Sequence, residues 1–199
     1  MAIMSAFKTA IGMMDAENAR DPHSELDRSV ARPGELVYAE RLSAWVEKLE
    51  PDASEVLRLA ARCQHLCRWQ VPRSTYPMDR AGYLRWREDL KKFHAKKAGE
   101  ILREAGYDET VIEKVQALNL KKNFPTDPEA RVIEDALCLM FFEHQFADIA
   151  REQPEEKVIG ILRKTWKKMT PKAREIALGM KLGPREQVLV KKAVGEEKE

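Results

Sequence analysis

Apolar residues recur along this chain at spacings of three and four, the pattern of helices that each bury one face. The first stripe is Ile3, Phe7, Ala10, Ile11 and Met14, which predicts a helix over 3–19 that Asp21-Pro22 ends. Residues 24–34 carry charges, a proline and a glycine without periodicity and read as an exposed loop. Tyr38, Leu42, Trp45, Val46 and Leu49 then define a helix over 35–49 and turn Tyr38 toward the core. A third helix starts at Ala53 or Ser54 and runs through Cys67, with Val56, Leu57, Ala60, Ala61 and Gln64 inward and His65 at the margin.

Periodicity stops over 68–82, where Pro72, Pro77 and Gly82 constrain a loop. It resumes over 83–105 with Leu90, Phe93, Ala98, Ile101 and Leu102 inward, and His94 lies one turn from both Leu90 and Ala98 on that face. Gly106 reads as a terminating glycine and Asp108 as the cap of a short helix to 118. Asp127-Pro128 opens a helix over 128–150 that is apolar nearly all round, with Asp135 among Val132, Ile133, Ala136 and Leu139. A carboxylate buried there needs a partner, because an unpaired one costs several kcal/mol or is driven to protonate. After Gln153-Pro154 a helix to 169 turns Val158, Ile161, Leu162, Thr165 and Met169 inward, Thr170-Pro171 leads a short one to about 179, and Val188, Leu189 and Val190 mark a last turn. No strand alternation appears, so the expected fold class is all-α: one helical domain over 1–190 and a charged tail over 191–199.

Composition narrows the function classes. The chain has 199 residues, 44% hydrophobic and 34% charged, as a soluble globular protein does. Its 35 basic and 33 acidic side chains leave a charge of +2, so no global field draws it to nucleic acid or an acidic membrane. Lys91, Lys92, Lys96, Lys97, Lys121 and Lys122 read as solvated helix faces, with a local anion patch as the alternative. Three cysteines make no disulfide framework, and Cys63 and Cys67 read as small core residues in a reducing compartment. No apolar run approaches the roughly 18 residues of a membrane span, and the opening segment lacks a basic leader, so a cytoplasmic protein without membrane contact is expected. The phosphate-loop, dinucleotide, zincin and serine-hydrolase signatures are absent.

Two constellations carry candidate chemistry. His65, His94 and Asp135 stand on successive long helices at positions that face or border a common core, and neutral imidazole with carboxylate suits a divalent metal ion. The alternative is a buried His65–Asp135 hydrogen bond with His94 satisfied in the core; His144 could join either arrangement. The second constellation is Arg68, Trp69, Arg73 and Tyr76 in the loop, followed by Arg87. Guanidinium groups pair with phosphate and aromatic faces stack on bases, although the same residues could tie the loop down by ion pairs and packing.

The phrases AARCQHLCRW, FHAKKAGEIL and EDALCL resemble the HD-domain superfamily of all-helical metal-dependent phosphohydrolases, over roughly 35–150. That resemblance implies an HD-like helical bundle with helical extensions at both ends. It places the superfamily's His-Asp pair on Gln64-His65, its later aspartate on Asp135, an accessory histidine on His94 and its opening histidine near Tyr38. Glutamine and tyrosine thus stand at two ligand positions. More closely, QHLCRW, PRSTYP, GYLRWR, KFHAKKAG, EDALCL and ILRKTWKKM are similar to a bacterial and plant family catalogued as a domain of unknown function, number 4202. Membership of that family implies the HD-like fold and supplies no substrate; together with the Arg/aromatic loop it leads to the expectation of an HD-like metal-dependent phosphohydrolase acting on a small phosphorylated or nucleotide-like substrate, its ion held by His65, His94 and Asp135 with Gln64, and its phosphate by Arg68 and Arg73. The rival expectation is a non-catalytic nucleotide- or RNA-binding module with a degenerate metal site and no cofactor. Neither implies an oligomeric state.

Overall fold

A computed structural model describes residues 5–27 and 29–195 and bears out the all-α expectation, with a small hairpin added. Ile3 of the first stripe and the last four residues of the tail lie outside the described residues. The chain divides into two compact units, Met1–Ala130 and Arg131–Glu199.

In the first unit, α1 (Ala6–Asn18) starts at Ser5, whose hydroxyl accepts the Lys8 N–H. Arg62 grips both oxygens of Asp15 at 2.6 and 2.7 Å, tying α1 to α3 (Glu55–Arg62). Where a loop is expected over 24–34, β1 (Ser24–Asp27) pairs antiparallel with β2 (Val30–Pro33). The apolar residues of this pair, Leu26 and Val30, are exposed, so no buried face announces it in the sequence. Charge pairing holds it instead: Arg32 reaches Asp27 at 2.9 Å and Glu40 of α2 (Gly34–Leu49) through both terminal nitrogens at 2.8 Å.

α2 follows its predicted stripe, with Leu42, Trp45, Val46 and Leu49 buried, but Tyr38 is only half-buried. α3 stops at Arg62 rather than Cys67, which takes a left-handed φ of 56°. Asn18, wholly buried on α1, accepts the Cys67 N–H through its side-chain oxygen at 3.0 Å and so holds that peptide outside the helix.

α4 (Arg80–Glu104) starts three residues earlier than its stripe predicts, because Asp79 caps it by accepting the Gly82 N–H at 2.6 Å. Gly82 is a close-approach residue: a Cβ there would lie 2.1 Å from the Pro77 carbonyl oxygen. Trp86 is buried and donates its indole N–H to Val71 O at 2.9 Å. Gly106, at φ 92°, ends the α4 segment as expected, and Asp108 caps α5 (Glu109–Asn119).

α6 (Pro128–His144) begins at its expected Asp127 cap. The single helix expected over 128–150 is broken at Gln145, and α7 (Phe146–Glu152) follows. The break packs Phe146, wholly buried, against Phe141 and Phe142 at ring distances of 5.9 and 5.6 Å. In the second unit α8 (Glu155–Lys168), α9 (Pro171–Leu178) and α10 (Pro184–Val194) complete the chain. α10 runs past the expected tail boundary, with Leu189 and Val190 buried and Val188 exposed. Cys63, Cys67 and Cys138 are all buried. Among the described residues no helix is long and apolar enough to cross a membrane.

Candidate functional site

The N-terminus of α2, the turn after α3 and the first half of α4 bring Glu35, Tyr38, His65, Arg68, Trp86 and His94 together in the first unit. Glu35 is 8% exposed, and its backbone N–H is held by Asp21 at 2.9 Å. One of its oxygens stands 3.4 Å from His65 Nδ1 and the other 3.4 Å from Arg68 Nη1. These contacts are longer than a tight charge-assisted hydrogen bond, so the carboxylate orients both groups without locking either. The His65 ring lies flat on Tyr38, 3.8 Å between centroids and 9° between planes. Arg68 lies over Trp86 at 5.0 Å from the ring centroid.

The two imidazoles differ. His94 Nδ1 is 2.8 Å from Leu66 O, and since a carbonyl only accepts, Nδ1 carries the proton and Nε2 the lone pair. Burial, with the neighbouring His65 adding to it, pushes its pKa down to about 3. The His65 side chain keeps 30% of its surface exposed. Its pKa is also lowered, because burial outweighs the pull of Glu35, and the charges of Arg68 and Arg87 push the same way. Both rings are therefore neutral at pH 7, and with Nδ1 turned to Glu35 the lone pair of His65 is on Nε2.

Most of the other predicted site residues are spent on structure. Gln64 donates its amide to Asn119 Oδ1 at 2.6 Å and to Ala60 O at 3.3 Å. Arg73 donates to the carbonyls of Tyr76, Pro77 and Asp79, and Tyr76 donates its hydroxyl to Asp89, so these two tie the loop down. The Trp69 indole nitrogen is buried without a hydrogen-bond partner. Arg87 is exposed and its Nη1 lies 3.5 Å from the Tyr83 hydroxyl. His144 pairs with its neighbour Glu143 at 3.2 Å.

Asp135 finds its partner in the second unit. Its oxygens accept the Thr170 N–H at 2.9 Å and the Thr170 hydroxyl at 2.5 Å, so the buried carboxylate caps α9 from below. Among the described residues no group of three or more His, Cys, Asp or Glu is placed to hold a metal ion. With both Asp135 oxygens committed to Thr170, this donor set does not fit the ion that the resemblance implies.

Glu35 is the central site residue that the sequence reading passed over, taking it only as a helix start. Its signal was its place three residues before Tyr38, on the same helix face. The family model described as Domain of unknown function (DUF4202) matches residues 8–190 of the chain. No curated protein and no solved structure matches it.

Proposed function

We propose, from the premise that the chain belongs to the family described as a domain of unknown function (DUF4202), that its first unit hydrolyses the phosphoester of a small phosphorylated or nucleotide-like molecule, with His65 carrying the proton. The observation that carries this reading is a part-exposed, neutral imidazole set beside a buried carboxylate and in the field of two guanidinium groups. Glu35 keeps the N–H of His65 on Nδ1, which leaves Nε2 to accept a proton. Arg68 and Arg87 supply two positive charges against the one of Glu35, and that excess favours a phosphate at the open side of the ring.

The step balances without a co-reactant other than water. His65 Nε2 takes a proton from water as the water oxygen bonds to phosphorus. The P–O ester bond breaks, its electron pair leaves on the ester oxygen, and that oxygen takes the proton back from the imidazolium. No step runs through a metal ion. The resemblance to HD-domain phosphohydrolases supports the reaction class, though not their ion.

The test is turnover of 4-nitrophenyl phosphate and a nucleotide panel in the presence of chelator. His65→Ala is expected to lower kcat/KM by about 100-fold or more, the usual worth of a positioned acid–base group, with its helical circular dichroism unchanged. Turnover at wild-type rates by that variant, or no turnover of any panel member by the wild type, overturns the proposal. The stacking of Arg68 on Trp86 favours one second reading, a binding module that does no chemistry. Nucleotide affinity lost in Arg68→Ala, kept in His65→Ala and accompanied by no turnover would select it.

A further inference from the structure

We propose that Tyr83, at the start of α4, is the platform on which a planar nucleobase stacks, so that the molecule bound at His65 is a nucleoside monophosphate rather than a sugar phosphate. The inference rests on the reading of His65, Arg68 and Arg87 as the phosphate end of the site. Tyr83 is 43% exposed in the second turn of α4, with Leu84 at 56% and Met78 at 79% beside it in sequence. An aromatic ring left in water offers a face to any base.

Two links on the structure join Tyr83 to the phosphate end. Its hydroxyl lies 3.5 Å from Arg87 Nη1, and Arg87 is near enough for its charge to be felt at His65. Its ring centroid lies 5.9 Å from that of Trp86, the ring that carries Arg68. Tyr83 and Arg87 are one helical turn apart, a rise of about 6 Å at 1.5 Å per residue. The two side chains rise from one face of a rigid helix and meet at 3.5 Å, so a ligand whose base lies on the ring has its phosphate within reach of the guanidinium with no loop to order. By contrast, Trp69 and Tyr76 are half-buried and Trp86 is buried, which leaves Tyr83 as the exposed ring of residues 68–87.

The experiment is calorimetric titration of the full chain with adenosine 5′-monophosphate and with ribose 5-phosphate, in chelator and on a time scale shorter than turnover. Base stacking is worth about 1–3 kcal/mol, so the wild type is expected to prefer the nucleotide by roughly 5- to 150-fold. Tyr83→Ala should erase that preference and leave ribose 5-phosphate affinity in place, while Tyr83→Phe, which keeps the ring, retains the preference. Equal affinity of the wild type for both ligands, or an undiminished preference in Tyr83→Ala, overturns the inference while ribose 5-phosphate binding and turnover still stand for the phosphate site. Failure to bind either ligand overturns both.

Discussion

His94 donates from Nδ1 to Leu66 O and is 4% exposed, so protonating its ring means placing a charge in the core of the first unit. Its pKa is about 3 in the fold against an ordinary value of about 6.5 in the unfolded chain. A histidine with a depressed folded pKa contributes stability that is fully present above the unfolded value and drains away as pH falls toward the folded one. Between pH 7 and pH 4 this group alone should remove about 3 kcal/mol, an order-of-magnitude figure. Urea unfolding of His94→Gln, which keeps a donor for Leu66 O, should show a smaller loss over that interval than the wild type. Parallel losses in the two proteins would mean that the ring is not held neutral. At this scale helical spacing placed His94 on an apolar face, while the turn after α3, not a helix, brings the His65 ring to 5.8 Å from it. The sequence reading passed over Glu35 because a carboxylate in a helix's first turn is so often only a favourable dipole partner.

Two elements differ from their predicted bounds where a side chain takes a backbone N–H. Asn18 holds the Cys67 N–H outside α3, and Asp79 takes the Gly82 N–H and starts α4 early. The early start requires glycine, because Pro77 O occupies the place of a Cβ at residue 82. Gly82→Ala should therefore destabilise by about 1–3 kcal/mol, the usual cost of overpacking, read as a lower urea midpoint. Gly160→Ala in the middle of α8 is the control: a Cβ there meets nothing within 4 Å, and helix propensity favours the alanine by up to about 1 kcal/mol. Equal midpoints for Gly82→Ala and the wild type would place the Pro77–Gly82 approach wrongly. The hairpin was illegible for a different reason. It is held by Arg32 and its carboxylates on an exposed surface, and charge pairs leave no periodic trace along a strand.

At the scale of the whole chain, the family match spans residues 8–190 and so covers most of both units. The first unit holds the imidazole site, and the second satisfies its own buried acid through the Thr170 cap. Protein purified without chelator should carry far less than one equivalent of divalent metal, and chelator should leave turnover unchanged. Stoichiometric metal in the wild type that disappears in His65→Ala would return the ion to the site and remove the metal-free step.

Helix content, several caps and the inward sense of most of the apolar positions on each stripe were settled by the sequence alone, because periodicity, capping oxygens, prolines and glycines act within a few residues of themselves. Which polar groups meet was decided only by the tertiary structure. Asp135 could be read as needing a partner but not as having Thr170, and Arg73 could be read as a phosphate ligand until three carbonyls closed on it. Burial makes a polar group demand a hydrogen bond, but several groups can meet the demand equally well, and only packing brings one of them within 3 Å.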